Sequence, residues 1–158
     1  MPRPRDFDTE ELLDQILLIF LENGWQQTSM RLLESSTNVK QVSLYNAFGN
    51  KEAMFLAAFD HWVTQAAAAQ NQFMNGNGID GIANFVKAIV REDSPLPMPQ
   101  CGCLAVNTAL VAQGAGPAIQ DRVQTYRDEM HQRILTELAR EKKQHGLKRG
   151  LRLAGSAD

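Results

Sequence analysis

The side chains with most chemistry to offer cluster in one short stretch, KQVSLYNAF, from Lys40 to Phe48. At 100° per residue, with Leu44 as the inward anchor, Lys40, Leu44 and Phe48 fall within about 40° of the core direction. Val42 and Asn46 then point away, and Ser43 and Tyr45 lie on the flanks. An outward face of Val, Asn, Ser and Tyr is odd for a helix that need only be soluble. It suits contact with a DNA groove, where a valine methyl meets a thymine methyl and an amide pairs with an adenine edge. The blander reading, a half-buried Tyr45 closing a small core, stands beside it on spacing alone.

Other chemistry is thinly supported. Cys101 and Cys103 flank a single glycine in QCGCLAV. Two thiols do not complete a tetrahedral zinc site, and a disulfide at that spacing is strained. Cys103 reads better as a small buried hydrophobe opening a helix. His61, His131 and His145 are far apart in the chain, with no nucleophile at readable spacing. No catalysis, metal or cofactor is expected.

The elements that must hold the 40–48 face read as all helix. Asp8 and Glu11 make a capping pair before LLDQILLIFLENG, whose Leu13, Ile16, Leu17 and Phe20 recur at helical spacing. Asn23-Gly24 ends that helix. Thr28 or Ser29 caps a short second helix with Met30 and Leu33 inward, and Asn38-Val39 breaks it after about two turns. A third helix runs from about Lys40 to Phe48, and Asn50 opens a long fourth one that reaches NGNG at 75–78. Further helices are expected over 79–92, 102–113 and from Pro117 to Gln144, separated by DSPLPMPQ and QGAGPA. There is no alternating strand pattern and no internal repeat.

The totals fit this picture. A chain of 158 residues with 44% hydrophobic and 22% charged residues can bury a core and is not of disordered composition. A formal net charge of −2 gives no global attraction to nucleic acid or to an anionic membrane, so any such attraction must be local. No apolar run is long enough to span a bilayer. A cytoplasmic protein is the expectation. Between residues 26 and 51, Arg31, Lys40 and Lys51 stand against Glu34 alone, while the tail from Arg140 to Arg152 is strongly basic.

Two short helices joined by a tight turn follow the helix-turn-helix plan. TSMRLLESSTNVKQVSLYNAFGNKEAMF, with FDTEELLDQILLIFLENGW before it, resembles the DNA-binding domain of the TetR family of bacterial transcription regulators. Thr28, Ser29, Leu33, Val39, Ser43-Leu44-Tyr45, Phe48, Lys51-Glu52 and Phe55 carry the match, which covers about residues 6–66. GCLAVNTAL at 102–110 resembles one branch of the family.

The resemblance implies an all-α protein: a helix-turn-helix at about 29–48 within a 6–66 DNA-binding domain, a helical ligand-binding domain over 67–145, and a basic tail over 146–158. It implies a homodimer on operator DNA, most simply a repressor released by a small-molecule effector. Thr28 would cap the second helix and touch a phosphate. Lys40, Gln41 and Val42 would begin the recognition helix, with Ser43 and Asn46 on its reading side. Tyr45 would bond a phosphate, Lys51 would sit on the backbone, and Arg3 and Arg5 would form an arm. Trp62, Phe85, Met98, Cys103, Asn107 and Met130 are candidates for the effector pocket.

Three departures from the family pattern stand out. Asn38 replaces the usual Gly, and Lys40 replaces a capping Ser or Thr, at a cost of about 1 kcal/mol. The sequence also stops at HGLKRGLRLAGSAD, where family members continue for two more helices that form the dimer interface. The expectation is a shortened C-terminal domain with an incomplete interface. The rival reading is therefore a helical protein-interaction module, or a regulator that works only with a full-length partner.

Overall fold

The computed structural model describes residues 8–90, 109, 110, 112 and 114–145. Among them are six helices: α1 (Thr9–Gln27), α2 (Met30–Thr37), α3 (Gln41–Phe48), α4 (Lys51–Met74), α5 (Gly78–Val90) and α6 (Pro117–His145). Ala109 and Leu110 are also helical, the other described residues outside these helices are turns and caps, and no strand occurs among the described residues. The all-helical expectation holds, and so does the order of these six elements; the helix expected over 102–113 lies largely outside the described residues.

Local chemistry sets most of the boundaries. The Asp8 carboxylate accepts from the Glu10 and Glu11 amides and starts α1. The α1 backbone breaks at Gly24, where φ is +77°, yet one further turn carries Trp25 to Gln27. Sequence reasoning ended this helix at Asn23-Gly24, and the regular helix does break there, with one separate turn following it. Ser29 caps α2 through the Leu32 amide, and Asn50 caps α4 through the Ala53 amide at 2.8 Å.

The core is built on α1 and α4. Ile16, Leu17 and Phe20 meet Met54, Phe55, Ala58 and Phe59, all essentially inaccessible to solvent. Phe55, Phe59 and Trp62 repeat on one face of α4 and continue an aromatic chain. Its ring centroids lie 5.7 Å apart for Phe20–Trp25, 5.1 Å for Phe20–Phe55, 6.1 Å for Phe55–Phe59 and 5.8 Å for Phe59–Tyr126 on α6. Each large side chain buried in this way contributes roughly 1.5–3 kcal/mol of transfer free energy. The unit carrying α1–α3 and the long helix α6 thus share one apolar spine.

Polar contacts fix the outer layer. The Arg122 Nε donates to Asp60 Oδ1 at 2.6 Å, joining α6 to α4, and Arg133 donates to Asn71 at 2.7 Å. Glu137, itself buried, accepts from the Gly76 and Gly78 amides and so pins the α4–α5 turn to α6. The turn before α6 lies close against α1 and α4. A Cβ on Gly114 would lie 2.6 Å from Gln26 Nε2, and one on Gly116 would lie 2.6 Å from Glu52 Oε2.

Candidate nucleic-acid interface

The α2–α3 pair is held by two fully buried leucines, Leu33 and Leu44, with Met30, Leu32, Val39 and Phe48 packed around the same core. Asn38 closes the turn at φ 57°, ψ 19°, the left-handed region. Among non-glycine residues Asn bears this conformation with little strain, because its short side chain bonds locally. Thr37 stitches the turn from inside. Its hydroxyl donates to Leu33 O at 2.7 Å and accepts from the Val39 amide at 3.3 Å. Sequence reasoning passed over this residue, although a threonine just before an Asn break is a sign of such a stitch.

With α3 docked by Leu44, its outer surface is the one expected. Val42 is 70% exposed and Tyr45 47% exposed, and Asn46 is exposed beside them. Gln41 and Ser43 are half-buried. Gln41 lies one turn before Tyr45 and Val42 one turn before Asn46, so the four form a continuous polar and small-apolar stripe. No residue of α3 is charged.

Other predicted contacts need correction. Lys40 does not turn inward and is not the first helical residue. It is the N-cap of α3, makes no side-chain cap bond, and is 82% exposed at its side chain, 3.4 Å from Glu34 Oε1. The inward reading extended the helical angle one residue beyond where the helix begins. Thr28 is wholly buried, and its hydroxyl donates to Gly24 O at 2.8 Å. It closes α1, while Ser29 caps α2, so the Thr28 side chain faces no phosphate here.

Lys51 folds back on α1. Its ammonium donates to Trp25 O at 2.6 Å and sits 4.3 Å from the centre of a Trp25 ring. Burial pushes its pKa below the ordinary lysine value. The indole and the carbonyl exposed by the Gly24 break give this lysine a partner inside the protein.

A residue outside the expected set contacts the start of α3. Glu34 on α2 accepts from Gln41 Nε2 at 2.7 Å and faces Lys40 with its other oxygen. The Gln41 amide is the main cause holding the Glu34 carboxyl below its ordinary pKa; desolvation opposes it, and Lys40 adds further lowering. A seven-residue separation across a turn carries no periodic signal, which is why spacing did not reveal it.

Three predicted pocket residues, Met98, Cys103 and Asn107, lie outside the described residues, as do Cys101, Arg3, Arg5 and the 146–158 tail. Of the other three, Trp62 and Met130 belong to one core cluster, while Phe85 lies on α5. Trp62 is buried in the spine against Phe59 and Tyr126, and its Nε1 has no partner among the described residues. Met130 is half-buried at the edge of that core, and Phe85 packs on Phe73 across the α4–α5 seam. A hollow of about 380 Å³ lies elsewhere, between Ala109, Ala112 and Gly114 on one side and Gln120, Val123 and Arg127 of α6 on the other. No group of His, Cys, Asp and Glu able to hold a metal occurs among the described residues.

Comparison with known proteins matches this architecture. The family profile described as bacterial regulatory proteins, tetR family, matches residues 12–58. The HTH-type transcriptional repressor ComR of Escherichia coli is 30% identical over 108 residues, which are 66% of this chain and 51% of that protein. The uncharacterized HTH-type transcriptional regulator YezE of Bacillus subtilis is 27% identical over 113 residues, 70% of this chain and 57% of that one. The chain thus spans little more than half the length of the curated relatives it matches. A solved structure of the TetR family regulator CifR, a cysteine mutant complexed with 26-bp operator DNA, superposes with a TM-score of 0.75 at 25% identity. It covers 94% of this chain and 78% of that one.

Proposed function

The chain belongs to the TetR family of bacterial regulatory proteins, and from that premise we propose that it regulates transcription by binding operator DNA through α3. The observation that carries this reading is the stripe of exposed Val42, Tyr45 and Asn46 with half-buried Gln41 on a helix anchored by buried Leu44. Val42 meets a thymine methyl, Asn46 and Gln41 reach base edges, and the Tyr45 hydroxyl bonds a phosphate. The amide N–H groups at the start of α4 lie nearby and favour a second phosphate. Residues 6–66 form the DNA-binding domain and residues 67–145 the regulatory one.

Two copies holding their recognition helices about 34–36 Å apart would read one face of the duplex. Repression is the simplest sign of regulation, as in the relative named as a repressor. A small molecule lodged among the helices after α4 releases the operator by favouring another spacing. The aromatic spine, and the close approach of Gly114 and Gly116 to Gln26 and Glu52, are the contacts through which such a shift reaches α1 and α4.

A mobility-shift titration on the protein's own upstream region tests the reading. The wild-type chain should bind, Val42→Ala and Tyr45→Phe should each weaken binding about 5- to 50-fold, and both variants should keep the wild-type melting temperature. Equal and weak binding by all three proteins would refute it.

A further inference from the structure

Glu34 sits in an unusual place for a DNA-binding surface, since a carboxylate beside the reading helix repels phosphate. Its contacts give it another task. Gln41 Nε2 lies 2.7 Å from Glu34 Oε2, and Lys40 Nζ lies 3.4 Å from Oε1. An ionised carboxylate only accepts, so the amide must offer its nitrogen to Glu34 and not its oxygen. That settles the direction of the Gln41 side chain by chemistry. One N–H is committed to a charge-assisted bond, leaving one N–H and the whole Oε1 acceptor for a ligand.

That remaining pair has the complement of one base edge in the major groove. Adenine offers the N6 donor and the N7 acceptor, which match the Gln41 oxygen and its second N–H. Guanine offers two acceptors, N7 and O6, and would require the amide to turn both hydrogens outward and abandon Glu34. Gln41 opens α3 one turn before Tyr45, on the same stripe as Val42, so its head lies where a base edge is read.

Resting on the DNA-binding reading above, we infer that Glu34 is a positioning residue that makes Gln41 an adenine-selective reader at one position of the operator. The carboxylate contributes discrimination rather than affinity. Its removal frees the amide to rotate and to accept guanine at that position, while the repulsion it exerts on the phosphates disappears.

Selection from a pool of random duplexes by the purified full chain, followed by sequencing, tests the inference. Wild-type protein should enrich a motif with adenine favoured over guanine on the order of tenfold or more at one position. Gln41→Ala should flatten that position alone. Glu34→Ala should bring guanine there close to parity with adenine, leave the other positions unchanged, and keep overall affinity equal or higher. Glu34→Gln retains an acceptor oxygen at the same reach and should keep the adenine preference. A Glu34→Ala profile identical to wild type overturns the inference and leaves the DNA-binding reading standing. So does a uniform flattening of every position, which would give Glu34 a merely structural part. Failure of wild-type protein to enrich any sequence sinks the DNA-binding reading and the inference together.

Discussion

Val42 and Leu44 lie two residues apart and do opposite work, since one turns 70% of its surface to solvent and the other none. Leu44→Ala should cost about 2–5 kcal/mol of stability, read as a lowered denaturation midpoint, because it opens a cavity between α2, α3 and the core. Lys51 gives a pH-dependent test. Its ammonium is partly desolvated against Trp25, so its folded pKa lies below the unfolded one. The unfolded chain then holds that proton more tightly. The cost is fully present below the folded pKa and fades as pH rises through it towards the unfolded value. Denaturation midpoints of wild type and Lys51→Met should therefore diverge in favour of wild type between neutral pH and pH of about 10. A constant difference would show that the burial does not perturb the lysine.

At the scale of elements, turns and caps decide whether α3 is presented at all. Asn38 already occupies the left-handed region, so Asn38→Gly should leave stability within about 1 kcal/mol of wild type. Asn38→Val, whose branched side chain resists that region, should cost more, and circular dichroism melts will rank them. Asn50→Ala should cost about 1 kcal/mol through the lost cap on α4. Much of this layer was legible in the sequence, because a cap, a break and an apolar repeat are local signals. Asp8, Ser29, Asn38 and Asn50 sit where those signals place them. What escaped was not local. Whether Lys40 belonged to the helix depended on where its first hydrogen bond closed, and the turn of Lys51 towards Trp25 depended on a carbonyl freed 26 residues earlier. Thr28 and Ser29 are adjacent hydroxyls with equal claims as caps. Only the backbone direction at the end of α1 separates the buried one from the capping one.

Among the described residues, one apolar spine connects the unit of α1–α3 to α6. Phe59 stands at its branch point, touching Phe55, Trp62 and Tyr126. Phe59→Ala should destabilise the protein by about 3–5 kcal/mol and broaden the thermal transition, since it unties the two halves as well as opening a cavity. Phe55, Phe59 and Trp62 share one face of α4 in the sequence, but nothing there names Tyr126 as their neighbour. The charge pattern carries a further consequence. Helix α3 is neutral, Lys40 is matched by Glu34, and Lys51 is turned inwards. Among the described residues near α3, few cations remain to displace the ions condensed on a duplex, so operator affinity should fall with salt at a log–log slope of only about −4 or shallower for two copies. Under the operator-binding reading proposed above, such a surface would have little grip on arbitrary sequence: the chain would find its target by repeated free diffusion and brief collisions rather than by gliding along the double helix.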